Sequence, residues 1–192
     1  TTKFEDVHTN IEQALVKEIG ELGKKIHMGR SRNDLVATDM RLYLRECADL
    51  ILHKIRDTRY AMASSAINNS HIIFPGYTHL QLAQPVTFGH HILAWHEMLA
   101  RDEERIIQAQ DRLNVLPLGS AALSGTPYNI DRKFVAEKLG FKAISNNSMD
   151  SVSDRDFVCD FAYTCSMIMM HLSRMSEEMV YWMNTHINLV DI

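Results

Sequence analysis

Three clusters of polar residues in this sequence combine side chains that can bind a carboxylate or transfer a proton. The first is GRSRND at residues 29–34, the second is GYTHLQLAQP at residues 76–85, and the third is DSVSDRD at residues 150–156. Arginine forms bidentate hydrogen bonds with carboxylates, and histidine exchanges a proton near neutral pH. These clusters are therefore the first places in which to look for a site.

The first cluster directly precedes a long predicted helix. The free N–H groups at a helix start, together with guanidinium groups, form a natural binding place for a carboxylate. The alternative is an ordinary helix N-cap flanked by solvated arginines, and the residues taken alone favour that alternative. The cluster becomes a site only in combination with others.

In the second cluster, a neutral His79 can accept or pass on a proton, and the Thr78 hydroxyl beside it can hydrogen-bond a substrate. A histidine whose hydrogen bonds are made by loop backbone explains the pattern equally well. In the third cluster, Arg155 can reach a substrate carboxylate or pair with the flanking aspartates. Helix capping with a local ion pair remains the simpler reading of the third cluster.

Motifs for metals and nucleotides are missing. His90 and His91 lie near the start of a predicted helix, with His96 and Glu97 beyond, but HExxH does not occur. Neither GxGxxG nor a P-loop is present. The sequence therefore predicts neither a metal nor another cofactor.

The composition is that of an ordinary globular protein, with 46% hydrophobic and 23% charged residues among 192. A net charge of -4 argues against a nucleic-acid partner, and no apolar run is long enough for a membrane span. The cysteines are too few for a disulfide framework, which fits a cytoplasmic protein. They are Cys47, Cys159 and Cys165.

Long stretches with helical periodicity dominate the chain. Helices are predicted over residues 36–68, 87–114 and 153–185, and the first would run about 50 Å. A short helix is predicted over residues 130–139, with Asp131 near its start and Gly140 after its end. Strand signals are almost absent, so the predicted fold class is all-α, a bundle of long helices.

Methionines on the third long helix cover more than one of its faces. A helix that is apolar on several faces is usually buried in a larger assembly, which predicts a homo-oligomer. A methionine-rich core within the monomer is the alternative. The residues concerned are Met167, Met169, Met170, Met175, Met179 and Met183.

Three stretches resemble the fumarase/aspartase superfamily: HMGRSRNDLVATDMRLYLRE, GYTHLQLAQPVTFGHHILAWHEMLARDEERI and NSMDSVSDRDFVCDF. The leading segment Glu5-Asp6-Val7-His8 adds to this resemblance. GRSRND followed by VATD is specific to the argininosuccinate lyase branch, whereas THxQxAxP is shared with relatives such as adenylosuccinate lyase. The resemblance covers nearly the whole chain.

The resemblance implies a β-elimination that splits argininosuccinate into arginine and fumarate. It implies a homotetramer in which segments of three subunits build each active site. Thr78 and His79 correspond to residues near the departing nitrogen, and an older interpretation makes His79 the general base. The implied substrate-binding residues are Ser31, Arg32, Asn33, Gln81, Asp6, His8 and Arg155.

Two departures from the superfamily indicate an internal piece of a longer protein. The mobile loop resembling GSSxMPxKxN, with its proposed catalytic serine, does not occur, nor does a GGRF segment. Residues 1–29 are then the end of a small N-terminal domain, and residues 30–192 begin the central helical domain. The piece alone is expected to be inactive.

Two alternatives stay open. One is a different lyase of the superfamily, such as one acting on adenylosuccinate, although GRSRND and the absence of phosphate-binding features count against it. The other is a structural protein like the delta-crystallins, which reuse this fold in the lens. A comparison of the two substrates and an activity assay distinguish these readings.

Overall fold

The computed structural model describes residues 6–191, and long helices contain most of them. The predicted all-α class is confirmed, since the strands are few and short. In chain order the elements are α1 (Val7–Ile19), a 3₁₀ helix (Gly20–His27), α2 (Arg32–Asn68), β1 (Ile73–Thr78), β2 (Gln81–Thr87), α3 (Phe88–Leu113), β3 (Val115–Leu116), α4 (Arg132–Lys138), β4 (Ala143–Ile144), α5 (Ser148–Ser153) and α6 (Asp156–Trp182).

The three long predicted helices correspond to α2, α3 and α6. Helix α2 ends at residue 68, where it was predicted to end, and it begins with Arg32, inside the first polar cluster. Helix α6 begins later than predicted because the preceding residues form the separate short helix α5, capped by the Asn147 side chain. Helix α4 is capped by Asp131, whose carboxylate accepts the Phe134 N–H at 2.9 Å, as the sequence indicated.

The described residues form two compact units. The first contains the described residues up to Tyr43 together with Asn114–Arg155, and the second contains Leu44–Leu113 together with the described residues from Asp156 onward. Helix α2 therefore begins in the first unit and continues into the second. The predicted boundary near Gly29 stays a prediction.

The second unit is built on apolar faces of α2, α3 and α6. Its core contains residues spaced at helical intervals on each of these helices, together with Phe74 from β1. Aromatic rings close one end of this core, where Trp95 and Trp182 stack with ring centroids 5.1 Å apart. The buried members are Ala48, Leu52, Ile55, Ala66, Phe74, Ile92, Trp95, Met98, Leu99, Ile106, Ile168, Met175 and Trp182.

The first unit has a smaller core, in which Leu116, Ala136 and Phe141 are buried together. The short strands β3 and β4 pair in parallel beside it. Helix α1 differs from the rest, because none of its residues is buried. Polar contacts therefore carry much of the attachment of α1.

The segment between α2 and α3 forms an antiparallel hairpin, whereas the sequence had indicated a loop. Strand β1 pairs with β2, and Pro75 lies opposite Pro85. The register is irregular between Pro75 and Tyr77. A Cβ at the intervening Gly76 would lie 2.4 Å from the Gln84 carbonyl oxygen, so the close approach of the strands requires glycine.

No helix between residues 6 and 191 is both long and apolar enough to cross a membrane.

Candidate active site

The first polar cluster forms the start of α2. Ser31 is the N-cap residue, since its Oγ accepts the Asn33 N–H at 3.3 Å. The Asp34 carboxylate reaches back and accepts the Ser31 N–H at 2.9 Å, as in a capping box. Capping and ligand binding are compatible here, because the side chains of Arg32 and Asn33 are not consumed by the cap.

The carboxylate of Asp34 also holds a distant loop against this helix start. Its second oxygen accepts the backbone N–H groups of Gly119 and Ala121, at 2.9 and 2.8 Å. Asp34 is fully buried. The side-chain amide of Asn33 donates to the Ala122 carbonyl oxygen at 3.0 Å, which adds a further tie to the same loop.

Together the helix start and this loop border an open cleft of about 460 Å³. One wall comes from residues 27–32 and the other from residues 121–128. The cleft is lined by His27, Gly29, Arg30, Ser31, Arg32, Ala121, Ala122, Gly125, Thr126, Pro127 and Tyr128. Its two arginines give it the chemistry expected of an anion site.

Arg32 and Asp6 are brought together. The Arg32 Nε lies 2.7 Å from an Asp6 carboxylate oxygen, and its Nη2 donates to the Thr9 hydroxyl at 2.6 Å. The Thr9 backbone N–H donates to the other Asp6 oxygen and, with the Arg32 charge, holds the pKa of Asp6 below its ordinary value. Asp6 is thus both the N-cap of α1 and the partner of Arg32. Glu5, in the same segment, lies outside the described residues.

His8 and Arg155 are two further predicted binding residues. His8 on α1 approaches α2, with its Nδ1 3.8 Å from an Asp39 carboxylate oxygen. Arg155 is exposed and donates to the carbonyl oxygens of Val152 and Asp154 in its own segment. Among the contacts of residues 6–191, none joins Arg155 to Arg32 or Asn33, so local capping accounts for what the structure shows of Arg155.

The second polar cluster occupies the tip of the β1–β2 hairpin. Thr78 and Gln81 face each other as the last pair of the ladder, and His79 and Leu80 form the two-residue turn. Both turn residues have positive φ, 53° for His79 and 59° for Leu80, where asparagine and glycine are usual. Strained non-glycine residues of this kind concentrate at functional sites, which strengthens the prediction for His79.

His79 lies on the rim of a cleft of about 640 Å³ in the second unit. Inside it, Glu178 of α6 accepts the Trp95 indole N–H at 2.6 Å and lies 2.7 Å from His91 Nε2. Burial acts to raise the pKa of Glu178, but hydrogen bonds from His91 and Trp95 outweigh it and leave the pKa below its ordinary value. Glu178 is therefore an anionic group within the cleft.

Aromatic contacts dock the hairpin onto α6. Phe74 meets Trp182 edge to face, with centroids 4.9 Å apart, and Tyr77 meets Tyr181 at 5.4 Å. Such pairs contribute about 0.5–1.5 kcal/mol each beyond the area they bury. They fix the hairpin that carries Thr78 and His79.

Replacing Leu80 by glycine in the full-length protein is expected to stabilise the fold by about 0.5–1 kcal/mol, because glycine relieves the strain at positive φ. The Leu80 side chain is 71% exposed, so little apolar burial is lost. Urea denaturation measures the change. Leu82, in β2 and equally exposed, is the matched control, and Leu82→Gly is expected to destabilise. Destabilisation by Leu80→Gly would show that the turn is not strained.

Two features of the site did not emerge from the sequence. Asp34 was not singled out, although an acid three residues after an N-cap serine is a recognised capping signal. Glu178 was not singled out either. No sequence signal distinguishes it from the other acids of α6, because its contacts with His91 and Trp95 join residues far apart in the chain.

Comparison with known proteins places the chain in a family. The family model described as "Lyase" matches residues 1–192. The argininosuccinate lyase of Thioalkalivibrio sulfidiphilus is 53% identical over 192 residues, which is 100% of this chain and 41% of that protein. The argininosuccinate lyase of Acinetobacter baumannii is 57% identical over 189 residues, 98% of this chain and 40% of that protein. The chain thus spans about two fifths of the length of these curated relatives.

Solved structures agree with this placement. The EDDS lyase in complex with formate superposes with a TM-score of 0.89 at 32% identity, over 93% of this chain and 36% of that one. The 3-carboxy-cis,cis-muconate lactonizing enzyme from Pseudomonas putida, at 22% identity and a TM-score of 0.78, covers 94% of this chain and 41% of that one and shares the fold. The chain belongs to the lyase family of the fumarase/aspartase superfamily.

Proposed function

We propose that this chain is part of an argininosuccinate lyase, which splits argininosuccinate into arginine and fumarate. The observation that carries the proposal is the identity of 53–57% to curated argininosuccinate lyases along the whole chain. The arrangement at the start of α2 supports it, since GRSRND borders a cleft with two guanidinium groups. Neither adenylosuccinate cleavage nor a lens protein has comparable support.

The reaction is a β-elimination. A proton leaves the carbon next to a carboxylate, and the C–N bond to the guanidino nitrogen on the neighbouring carbon breaks. The intermediate carries a doubly negative aci-carboxylate, so the site has to place N–H donors and cations at the carboxylate oxygens before the reaction begins. The departing nitrogen needs a proton or leaves as part of a guanidinium group.

In the proposed mechanism, Ser31, Arg32 and Asn33 bind the succinyl part of the substrate. Arg32 has five N–H donors and uses two of them on Asp6 and Thr9, which leaves donors for a ligand. Asp6 and His8 then act by orienting this arginine and the start of α1. Arg155 is proposed as a further binding residue, and its described contacts are local.

Thr78 and His79 are proposed to act near the bond that breaks, with Gln81 binding or orienting the substrate. Their position at a hairpin tip supports this role, since all three side chains are exposed within four residues. His79 acts with a carboxylate partner, and the catalytic base comes from the mobile loop of the longer protein. The older alternative, His79 as the base itself, gives the same requirement for its imidazole.

A homotetramer with shared active sites is proposed for the complete protein. Several large apolar side chains of α6 are exposed in the single chain, including Met169 at 63% and Val180 at 67%. An apolar groove of about 610 Å³ also lies open between α2 and α3. Isolated exposed hydrophobic residues are normal, but such grooves and helix faces mark surfaces that are covered in an assembly.

The remaining expectations belong to the same proposal. We propose a cytoplasmic location, where argininosuccinate lyase would serve arginine synthesis. We propose a domain boundary near Gly29, with residues 1–29 ending a small N-terminal domain. A chain without the mobile loop is expected to have no activity alone.

The test is fumarate release from argininosuccinate, followed by absorbance. This chain is assayed alone and after mixing with a full-length version that keeps its mobile loop but carries His79→Asn, with adenylosuccinate as the control substrate. Activity on argininosuccinate in the mixture that exceeds the sum of the two components would support both the reaction and the shared site. No gain in mixed tetramers confirmed by light scattering, or a preference for adenylosuccinate, would contradict the proposal.

A further inference from the structure

We infer that Asp34 is a positioning residue for substrate binding: its carboxylate holds residues 119–122 against the start of α2 and so orients the side-chain amide of Asn33. This inference rests on the proposed function, because it uses Asn33 as a binding residue. It assigns a role to a buried acid and to a glycine-rich loop that the reaction scheme does not use. Asp34 itself does not touch the substrate.

The geometry gives one carboxylate two separate tasks. One oxygen caps α2 through the Ser31 N–H, and the other accepts from Gly119 and Ala121. A cap alone needs only the first of these contacts. A fully buried carboxylate bound to amides 85 and 87 residues away instead ties two walls of one cleft together.

The loop in turn acts on Asn33. Its Nδ2 carries two hydrogens, one of which is donated to the Ala122 carbonyl oxygen. That bond sets the rotation of the amide and leaves the other hydrogen for a ligand. Because Ala122 directly follows an amide that Asp34 holds, the position of this carbonyl depends on Asp34.

The backbone conformation of the loop supports the same inference. Ala121 has φ of 54°, a left-handed conformation that strains a non-glycine residue. Such a residue persists only where surrounding bonds hold it, and the hydrogen bond from its N–H to Asp34 is one that does. Arg132 secures the other side, donating to the Leu118 carbonyl at 2.9 Å. Burial lowers the pKa of Arg132, and the nearby Asp34 charge opposes that effect.

The test is a double-mutant cycle on kcat/KM for fumarate release by the full-length protein, with Asp34→Asn, Asn33→Ala and the double variant. Asparagine keeps the shape of Asp34 but turns an N–H group toward backbone donors. We expect about a 10-fold loss for Asp34→Asn, mainly in KM, and no further loss when it is added to Asn33→Ala. Additive losses, or an unchanged KM in Asp34→Asn, would overturn the inference, since a purely structural role predicts additivity.

Thr38→Val is the matched control, since Thr38 is also buried in α2 and bonds only the Asp34 backbone carbonyl. It is expected to leave kcat/KM within about two-fold. Amide hydrogen exchange in the unsubstituted protein provides a second measurement if Asp34→Asn does not fold. The amides of Gly119 and Ala121 should exchange slowly, and rapid exchange would show that Asp34 does not hold the loop. Absence of argininosuccinate cleavage in the parent protein would instead refute the proposed function. The exchange result would still decide whether Asp34 holds residues 119–122.

Discussion

Replacing His79 by asparagine in the full-length lyase is expected to lower kcat by about 10²-fold or more, the usual contribution of an acid–base group. Asparagine tolerates the positive φ that His79 adopts, so the hairpin turn is preserved while the titratable imidazole is lost. Thr78 and Gln81 keep their register. Steady-state kinetics of fumarate release measures kcat and KM separately, and the loss should fall on kcat.

A histidine elsewhere serves as the control. His53 on α2 has a side chain that is 70% exposed and lies near Asp57, and His53→Asn should leave kcat within about two-fold. If His79→Asn retained a rate within a few-fold of the parent, His79 would have no acid–base role. The exposed position of His79 would then reflect the hairpin alone.

Replacing Arg32 by leucine is expected to weaken substrate binding by about 10²-fold or more, which corresponds to about 2.7 kcal/mol. A charge-assisted hydrogen bond to a carboxylate contributes on the order of 1.5–3 kcal/mol, and Arg32 has donors left after serving Asp6 and Thr9. Calorimetry in the His79→Asn background measures affinity while turnover is slowed. The fold is expected to persist, since Arg32 is only half-buried.

A second variant separates direct binding from orientation. Asp6→Asn keeps an oxygen to cap α1 but removes the charge that holds Arg32. We expect Asp6→Asn to weaken binding less than Arg32→Leu does. Equal losses would mean that Arg32 serves only to fasten α1, and unchanged affinity in Arg32→Leu would remove it from the substrate site altogether.

The helices could be predicted from the sequence because their signals are local. Residues 32–72 contain neither glycine nor proline, and apolar side chains recur at three- and four-residue steps, so α2 was placed to its last residue. The α5–α6 break was not predicted. It follows from Asn147 capping a first short helix and Asp154 ending it, a competition between caps that periodicity does not show.

The hairpin was missed for a physical reason. Its strands pair Pro75 with Pro85, and most residues of β2 are exposed, without an alternation of buried and exposed positions. Its turn is His-Leu rather than Asn-Gly. The β-branched and aromatic residues of β1 are a strand signal, but the prolines and the missing Asn-Gly turn outweigh it. What holds the hairpin is tertiary, namely the aromatic contacts of Phe74 and Tyr77 with α6.

The candidate site, like the fold, could be predicted from the sequence only in part. The clusters around Ser31 and Thr78 could be found from residue types and from the family resemblance, because their members are adjacent in the chain. The ties between Asp34 and Gly119, and between His91 and Glu178, join residues 85 and 87 positions apart. No single-sequence pattern reports such contacts, which depend on how the chain folds back.

Helix α1 lacks a buried residue, and its described ties to α2 include the Asp6–Arg32 ion pair and the approach of His8 to Asp39. The attraction within the Asp6–Arg32 pair is screened by dissolved ions, with a Debye length of about 8 Å at physiological ionic strength and about 3 Å at 1 M. Salt concentration therefore controls how firmly α1 is held. A preparation in concentrated salt would loosen the segment that orients Arg32 while the apolar core between α3 and α6 stayed intact.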